Sequence, residues 1–244
     1  MMEAVAVSSM PQAVGEMSSW HFLAGPASLC VHAEGFAPGL LPPCAAEAAV
    51  VLDLAGELLD ALAAVGLAQA PWQWVAQLGG MPAGGAQASW QGREAQARLC
   101  VPWSALRGLA EAPDVPGLQW LPTPAECVLA GWRLSEDELA ALEPGGLVLL
   151  DDATAPSLRA RGEVHAARAG DVAETAEGFD LRPWQLVARW EQPQPLEVVM
   201  GWRGTVPALP VPCQLIDVAR PDAPLARGRL VPWGSGQAFR IDAV

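Results

Sequence analysis

"LSEDELAALEPGGLVLLDDA", residues 134–153, has the spacing of a strand end, a short helix, a turn and a second strand. Ser135 and Glu138 stand three residues apart, which is the spacing of a capping box. In that motif each side chain accepts a hydrogen bond from a backbone N–H at the helix start. Leu134 before the cap and Leu139 after it are placed as a hydrophobic staple. The stretch therefore predicts a helix that begins at Ser135.

The acidic side chains at 136–138 occupy the first turn of this helix, where a carboxylate is favoured by roughly 0.3–1 kcal/mol. Pro144 and Gly145, with the glycine after them, are predicted to end the helix, and "LVLLD" is predicted to follow as a buried strand. A general acid and a general base need different environments, whereas neighbouring first-turn carboxylates share the same solvent. The acidic cluster is therefore predicted to be structural and not catalytic.

The composition indicates a globular chain whose net charge is negative. Of 244 residues 52% are apolar, which is ample for a buried core. The 14 basic residues against 27 acidic ones give a net charge of −13. This charge repels nucleic acid and anionic lipid surfaces. We therefore expect no nucleic-acid partner, and because no uninterrupted apolar run is long enough for a span, no direct membrane insertion.

Apolar periodicity gives the coarse organisation of the rest of the chain. Trp20 and Val31 lie in segments that suggest a short strand or two, and residues 45–65 have the pattern of one amphipathic helix stopped by the next glycine. "AQARLCVPW", residues 95–103, reads as a strand, and a further strand is predicted at about 126–134. The fold class predicted is α+β.

Sites for metals, cofactors and nucleophilic chemistry are not encoded by any motif. The five cysteines and three histidines are widely spaced, without a CxxC pair or HExxH, so no zinc site is expected. GxSxG, GxGxxG and the phosphate-binding GxxxxGK[ST] are absent, and the chain has no lysine. We expect no catalytic residue and no cofactor. The histidines are His21, His32 and His165, and the cysteines are Cys30, Cys44, Cys100, Cys127 and Cys213.

The longer pattern "LAGWRLSEDELAALEPGGLVLLDDA", residues 129–153, resembles the surface-presentation-of-antigens (SpoA) fold. That fold occurs in the cytoplasmic ring proteins of type III secretion systems and in flagellar switch proteins. "ARLCVPWSALRGL" and "LQWLPTPAECVLAGW" resemble the segment before the first SpoA unit in the SctQ (YscQ/HrcQ) family. Gly146 departs from the pattern, since the family has an aspartate at this position of the turn.

The end of the chain is similar to the closing strands of a SpoA unit. Residues 226–231, "ARGRLV", and 238–241, "AFRI", take the places of the two strands, with Arg229 for the usual glutamate and Ala238 for the usual glycine. The resemblance implies a β-rich SpoA-like domain over 121–244, as one unit with an insertion or one unit plus a degenerate second. Residues 1–120 are then an N-terminal mixed α/β domain.

The resemblance implies a non-enzymatic scaffold of the cytoplasmic sorting platform, peripheral to the inner-membrane secretion apparatus. Its partners would be a SpoA-containing chain, either a short SctQ product or a separate C-terminal subunit, together with the ATPase stator protein SctL, the adaptor protein SctK and substrate–chaperone complexes. We expect a homo- or hetero-oligomer.

Val231, Phe239 and Ile241 are the residues expected to contact the partner, because alternation places Phe239 and Ile241 on one face of a strand. The same face could instead pack on the chain's own core. Two other functions stay open at this point. One is a flagellar motor switch component, and the other is a hydrolase of unknown fold that uses a cysteine or a carboxylate.

Overall fold

The computed structural model describes residues 19–33, 44–67, 70–75, 84–150, 156–163 and 182–244. These residues contain five α-helices and thirteen β-strands, and the strands form two antiparallel sheets. The predicted α+β fold, rich in β-structure, is confirmed.

The first sheet is built from the N-terminal part of the chain. Its strands are β1 (Ser19–Ala24), β2 (Ala27–Ala33), β3 (Gln73–Val75), β4 (Gly85–Gln91), β5 (Ala95–Pro102) and β6 (Leu118–Trp120). They lie in the order β3-β1-β2-β5-β4-β6. Buried and exposed residues alternate along β4, as expected for a sheet with one face on the core. The strands predicted around Trp20, Val31 and residues 95–103 are β1, β2 and β5.

The second sheet is built from the C-terminal half. Its strands are β7 (Ala125–Leu134), β8 (Leu147–Leu149), β9 (Ser157–Ala160), β10 (Arg182–Arg189), β11 (Cys213–Asp217), β12 (Arg220–Trp233) and β13 (Gly236–Ala243). They lie in the order β8-β13-β12-β11-β10-β7-β9. The strand predicted at about 126–134 is β7, whose first six residues are buried.

The helices are short, and the one predicted over 45–65 is divided. They are α1 (Ala45–Leu54), α2 (Gly56–Ala64), α3 (Trp103–Arg107), α4 (Glu136–Ala140) and α5 (Leu196–Met200). Ala55 leaves helical geometry between α1 and α2, with ψ of 11°, just before Gly56, a residue of low helix propensity. The amphipathic pattern and the glycine stop are present, since Leu58 and Leu62 are buried on one side and Gly66 follows α2 with φ of +78°.

One hydrophobic core cluster contains side chains from both sheets. Phe22 and Leu99 of the first sheet and Leu186 and Phe239 of the second are at most 1% exposed and belong to this cluster. Each such side chain contributes roughly 1.5–3 kcal/mol on burial. The two sheets are therefore held together by apolar packing as well as by the chain.

Polar contacts also join the two halves. Residues 121–124 connect β6 to β7. The Nε–H of Arg107 on α3 donates a hydrogen bond to Glu163 Oε1 over 2.6 Å. The indole N–H of Trp202 donates to the carbonyl of Leu109 over 3.1 Å. The change from one sheet to the other thus falls next to the predicted boundary. That the two halves are separate domains stays a prediction.

The predicted capping box is present at the start of α4. Ser135 Oγ accepts a hydrogen bond from the Glu138 backbone N–H over 3.3 Å, and Glu138 Oε2 accepts one from the Ser135 N–H over 2.8 Å. The second bond, together with one from the Ser135 hydroxyl, lowers the pKa of the Glu138 carboxyl. Leu134 and Leu139 are both half-buried and pack against the main core, as residues of a hydrophobic staple do.

The predicted end of this helix is wrong. α4 ends at Ala140, where the Ala141 N–H bonds back to the Asp137 carbonyl, four residues before the proline. Pro144 and Gly145 instead form the turn into β8. Gly145 has φ of +88°, a conformation that glycine adopts without strain.

The strand predicted from "LVLLD" is present as β8, but the prediction that it is buried is wrong. Leu147 and Leu149 are 37% and 59% exposed, and Val148 between them packs against the core. β8 ends the sheet and pairs on one side with β13. A run of apolar residues has no period, so it does not distinguish a buried strand from an edge strand with an apolar outer face. The two aspartates after the run lie outside the described residues.

Candidate interaction surface

The register of three strands aligns apolar side chains at one end of the second sheet. Leu149 on β8 lies opposite Ala238 on β13, and Ala238 lies opposite Val231 on β12. Residues directly opposite in an antiparallel pair point to the same face. Leu147 and Trp233 are two residues away from members of this row, so they share its face.

This outer face exposes large apolar side chains. Leu147 is 37% exposed, Leu149 59% and Trp233 54%, while Val231 is half-buried between its neighbours. We call these four residues the edge patch. Exposed apolar side chains that are adjacent on one face are typical of interaction sites, whereas scattered ones are ordinary. The edge patch is the group of exposed apolar residues that the strand register brings together.

The inner face of the same strands belongs to the protein's own core. Phe239 is 0% exposed and Ile241 1%, and both lie in the main cluster. The alternation predicted for β13 is present, since Arg240 between them is half-buried on the other face. The side chains of Phe239 and Ile241 therefore fill the core, the alternative that the sequence left open. Of the three residues expected to contact a partner, Val231 alone lies in the edge patch.

Charged residues border the edge patch on the same face. Arg229 and Arg240 lie directly opposite each other on β12 and β13. Asp242 approaches both, with its Oδ2 3.8 Å from Arg229 Nε and its Oδ1 3.3 Å from Arg240 Nη2. These pairs are exposed and contribute little to stability. An apolar centre with a polar rim is the usual anatomy of a protein interface.

The turn before β8 sets the position of the patch. The N–H of Gly145 donates to the Ile241 carbonyl over 2.8 Å, and the N–H of Ile241 donates to the Gly146 carbonyl over 3.0 Å. A side chain at residue 146 would have its Cβ 3.0 Å from the Glu143 carbonyl oxygen. Pro144 and Gly145 were predicted as structural residues, and this backbone pairing attaches β8 to β13.

The outer edge of β8 has no strand partner among the described residues, because β8 is the last strand of the order. An edge strand presents unpaired N–H and C=O groups and can pair with another chain. Leu147 and Leu149 stand on this strand. A partner strand added to β8 would therefore extend the sheet next to Leu147 and Leu149, and the rest of the partner could then cover the edge patch.

A buried ion network at the opposite end of the sheet was not predicted. Glu126 on β7 is 1% exposed and lies directly opposite Arg159 on β9 and Arg189 on β10. Its Oε1 accepts from Arg159 Nε over 2.9 Å and its Oε2 from Arg189 Nε over 2.9 Å. The side chains of Gln185 and Gln214 accept further bonds from the two guanidinium groups. The residues are too far apart in sequence to form a motif.

The geometry of this network supports a role in strand register. The environment of Glu126 is not that of a catalytic carboxylate. Both oxygens of Glu126 are held by permanent cations, so the carboxylate is paired and hydrogen-bonded. Removing the carboxylate would leave two guanidinium groups next to each other and largely buried. The role that the geometry supports is the attachment of β9 and β10 to β7.

The buried thiols are poor nucleophiles. Burial raises the pKa of Cys30, Cys100 and Cys127, and raises that of Cys213 to about 11. The thiolate is the reactive form of cysteine, so these thiols are largely unreactive at neutral pH. Cys30 Sγ lies 3.5 Å from His32 Nε2, but burial, with the nearby Arg98 and His21 adding to it, lowers the pKa of His32. The pair is therefore not a thiolate–imidazolium pair.

No group of three His, Cys, Asp or Glu side chains suited to a metal ion occurs in the described part of the chain. His165 lies outside that part. Among the described helices none is both long and apolar enough to cross a membrane.

Comparison of the chain with family models, with curated proteins and with solved structures gave no match.

Proposed function

We propose that the chain is a non-enzymatic scaffold of the cytoplasmic sorting platform of a type III secretion system. The resemblance of residues 95–153 and of the C-terminal strands to SctQ and SpoA sequences motivates the assignment. The observation that carries it is the edge patch on β8, β12 and β13, which combines exposed apolar side chains with an unpaired strand edge in the described structure.

The mechanism is binding through this edge. A SpoA-containing partner chain pairs a strand with β8 and covers Leu149 and Trp233, which removes apolar surface from water. Arg229 and Arg240 at the rim offer charge complementarity to acidic residues of the partner, which favours specificity and a fast association rate. Phe239 and Ile241 support the surface from beneath by fixing β13 on the core.

The proposal includes the partners and place that the family resemblance implies. The chain binds a short SctQ product or a separate C-terminal SpoA subunit, contacts the ATPase stator SctL and the adaptor SctK, and receives substrate–chaperone complexes. It works in the cytoplasm beneath the export gate and needs no cofactor. A net charge of −13 disfavours nucleic acid as a partner.

The other function classes have less support. The raised thiol pKa values and the cation-bound Glu126 give a hydrolase no activated group within the described residues. A flagellar switch component shares the SpoA resemblance, and its distinction from the secretion platform depends on the partner that the chain binds.

Co-expression tests the proposal. The chain is produced with the SpoA subunit and with the ATPase stator of a type III secretion system, and in parallel with the corresponding flagellar proteins, and complexes are separated by size-exclusion chromatography. Co-elution with the secretion proteins supports the proposal. Co-elution with the flagellar set alone assigns the chain to a flagellar switch, and elution alone in every combination contradicts the scaffold.

A further inference from the structure

A second exposed apolar surface lies between α5 and β11. Residues 206–212, "VPALPVP", form no helix or strand. Val206 is 57% exposed, Leu209 41% and Val211 73%. We call residues 206–212 the proline segment. Single exposed apolar residues are ordinary, but three within seven residues, each placed directly before a proline, form a pattern.

The sequence restricts this segment to extended conformations. Proline holds φ of residues 207, 210 and 212 near −65°. A residue before proline is displaced from the helical region toward extended or polyproline II geometry, and Val206, Leu209 and Val211 all have that position. Six of the seven residues, all but Ala208, are therefore conformationally restricted before any partner binds. Such a segment loses little entropy when it docks.

The fold anchors Ala208, the one residue of the segment that the prolines do not restrict. The indole N–H of Trp190, a buried side chain at the end of β10, donates to the carbonyl of Ala208 over 3.3 Å. Pro207 and Pro210 are half-buried, whereas Val206 and Leu209 are exposed. Both pairs have a spacing of three residues, which is the period of a polyproline II helix. One edge of the segment thus rests on the protein while another presents apolar side chains.

We propose that the proline segment is a preformed ligand for a partner domain with an aromatic-lined groove that binds extended proline-containing peptides. Three of its seven residues lack a backbone N–H, so it cannot serve as a full strand for pairing with a sheet edge. Grooves of this kind recognise segments with PxxP spacing, which Pro207 and Pro210 have. The side chains that enter the groove are the exposed Val206 and Leu209, each directly before one of these prolines. This inference is independent of the edge patch and of the secretion-platform proposal.

The test uses the full-length chain and two purified probes, an SH3 domain and a WW domain, each titrated by fluorescence anisotropy. The variants are Leu209→Asp, which changes one exposed apolar side chain, and the triple change of Pro207, Pro210 and Pro212 to alanine. Val50→Asp is the matched control, because Val50 is 50% exposed on α1 and far from the segment in sequence. Circular dichroism and melting temperature verify that each variant is folded.

We expect the wild type and Val50→Asp to bind at least one probe equally, and Leu209→Asp to bind at least about tenfold more weakly. The triple alanine variant should also weaken binding, since it keeps the apolar side chains but loses the preformed geometry. If Leu209→Asp fails to fold, Val211→Asp takes its place. The proposal is overturned if neither probe binds the wild type, or if the aspartate variants bind as well as the control. Concentration-dependent self-association that Leu209→Asp abolishes would also overturn it, in favour of a second copy of the chain.

Discussion

The hydroxyl of Ser135 satisfies a backbone N–H at the start of α4 and also donates to Glu138 Oε2 over 2.9 Å. Replacing Ser135 by alanine should lower the free energy of unfolding by roughly 0.5–2 kcal/mol. Ser104→Ala is the matched control, since Ser104 is exposed on α3 and does not cap it. Thermal or chemical denaturation measures both. Equal stability of the two variants would show that the cap contributes nothing to the fold.

The Cys213 thiol should make stability depend on pH in the alkaline range. Burial raises its pKa from 9.0 to about 11, so the folded state keeps a proton that the unfolded state has lost. The stabilisation is complete below pH 9.0 and is lost as the pH rises toward about 11. We expect Cys213→Ala to show a smaller loss of stability across this range than the wild type. Denaturant unfolding at several alkaline pH values measures it, and identical slopes would contradict the assignment.

At the residue scale, local spacing predicted local structure well. The capping box needs only Ser135 and Glu138, three residues apart, so the sequence alone was sufficient. Alternation likewise placed Phe239 and Ile241 on one face. It could not tell whether that face meets the core or a partner, because both environments select apolar side chains.

Among the elements, β9 is attached to the sheet by its pairing with β7 and by the ion pair between Arg159 and Glu126. Glu126→Gln should destabilise the fold by about 3–5 kcal/mol, because it leaves two largely buried guanidinium groups without a counter-charge. Glu191→Gln is the matched control, since Glu191 is exposed at the end of the neighbouring strand. Urea denaturation gives both values. A Glu126→Gln variant as stable as the control would mean that water or another group compensates the arginines.

The elements also show where prediction from sequence stops. The sequence placed β7 and β5 nearly at their observed ends, but it made β8 a buried strand and joined α1 to α2. Which apolar run becomes an edge strand depends on its neighbours in space, and β8 lies beside β13, which is distant in the chain. The Glu126 network could not be predicted for the same reason, since its members meet only through strand pairing. The edge patch could therefore not be found without the sheet order.

For the whole molecule, the two faces of the C-terminal hairpin should respond differently to mutation. Phe239→Ala removes a fully buried side chain and should destabilise the protein by about 3–5 kcal/mol. Because this residue faces the core, the fraction that stays folded should bind its SpoA partner with unchanged affinity. Denaturation and binding measured on the same preparation test both statements. Lost affinity in a variant of wild-type stability would place Phe239 in the interface instead.

The most direct test of the scaffold account is the dissociation constant for the SpoA partner subunit, measured by isothermal titration calorimetry. The chains compared are the wild type, Leu149→Asp and the control Val50→Asp, which alters an apolar residue of similar exposure on α1. All three should have the same melting temperature. Leu149→Asp should weaken binding at least about tenfold, while Val50→Asp should leave it unchanged. Equal dissociation constants for the two variants would contradict the scaffold account.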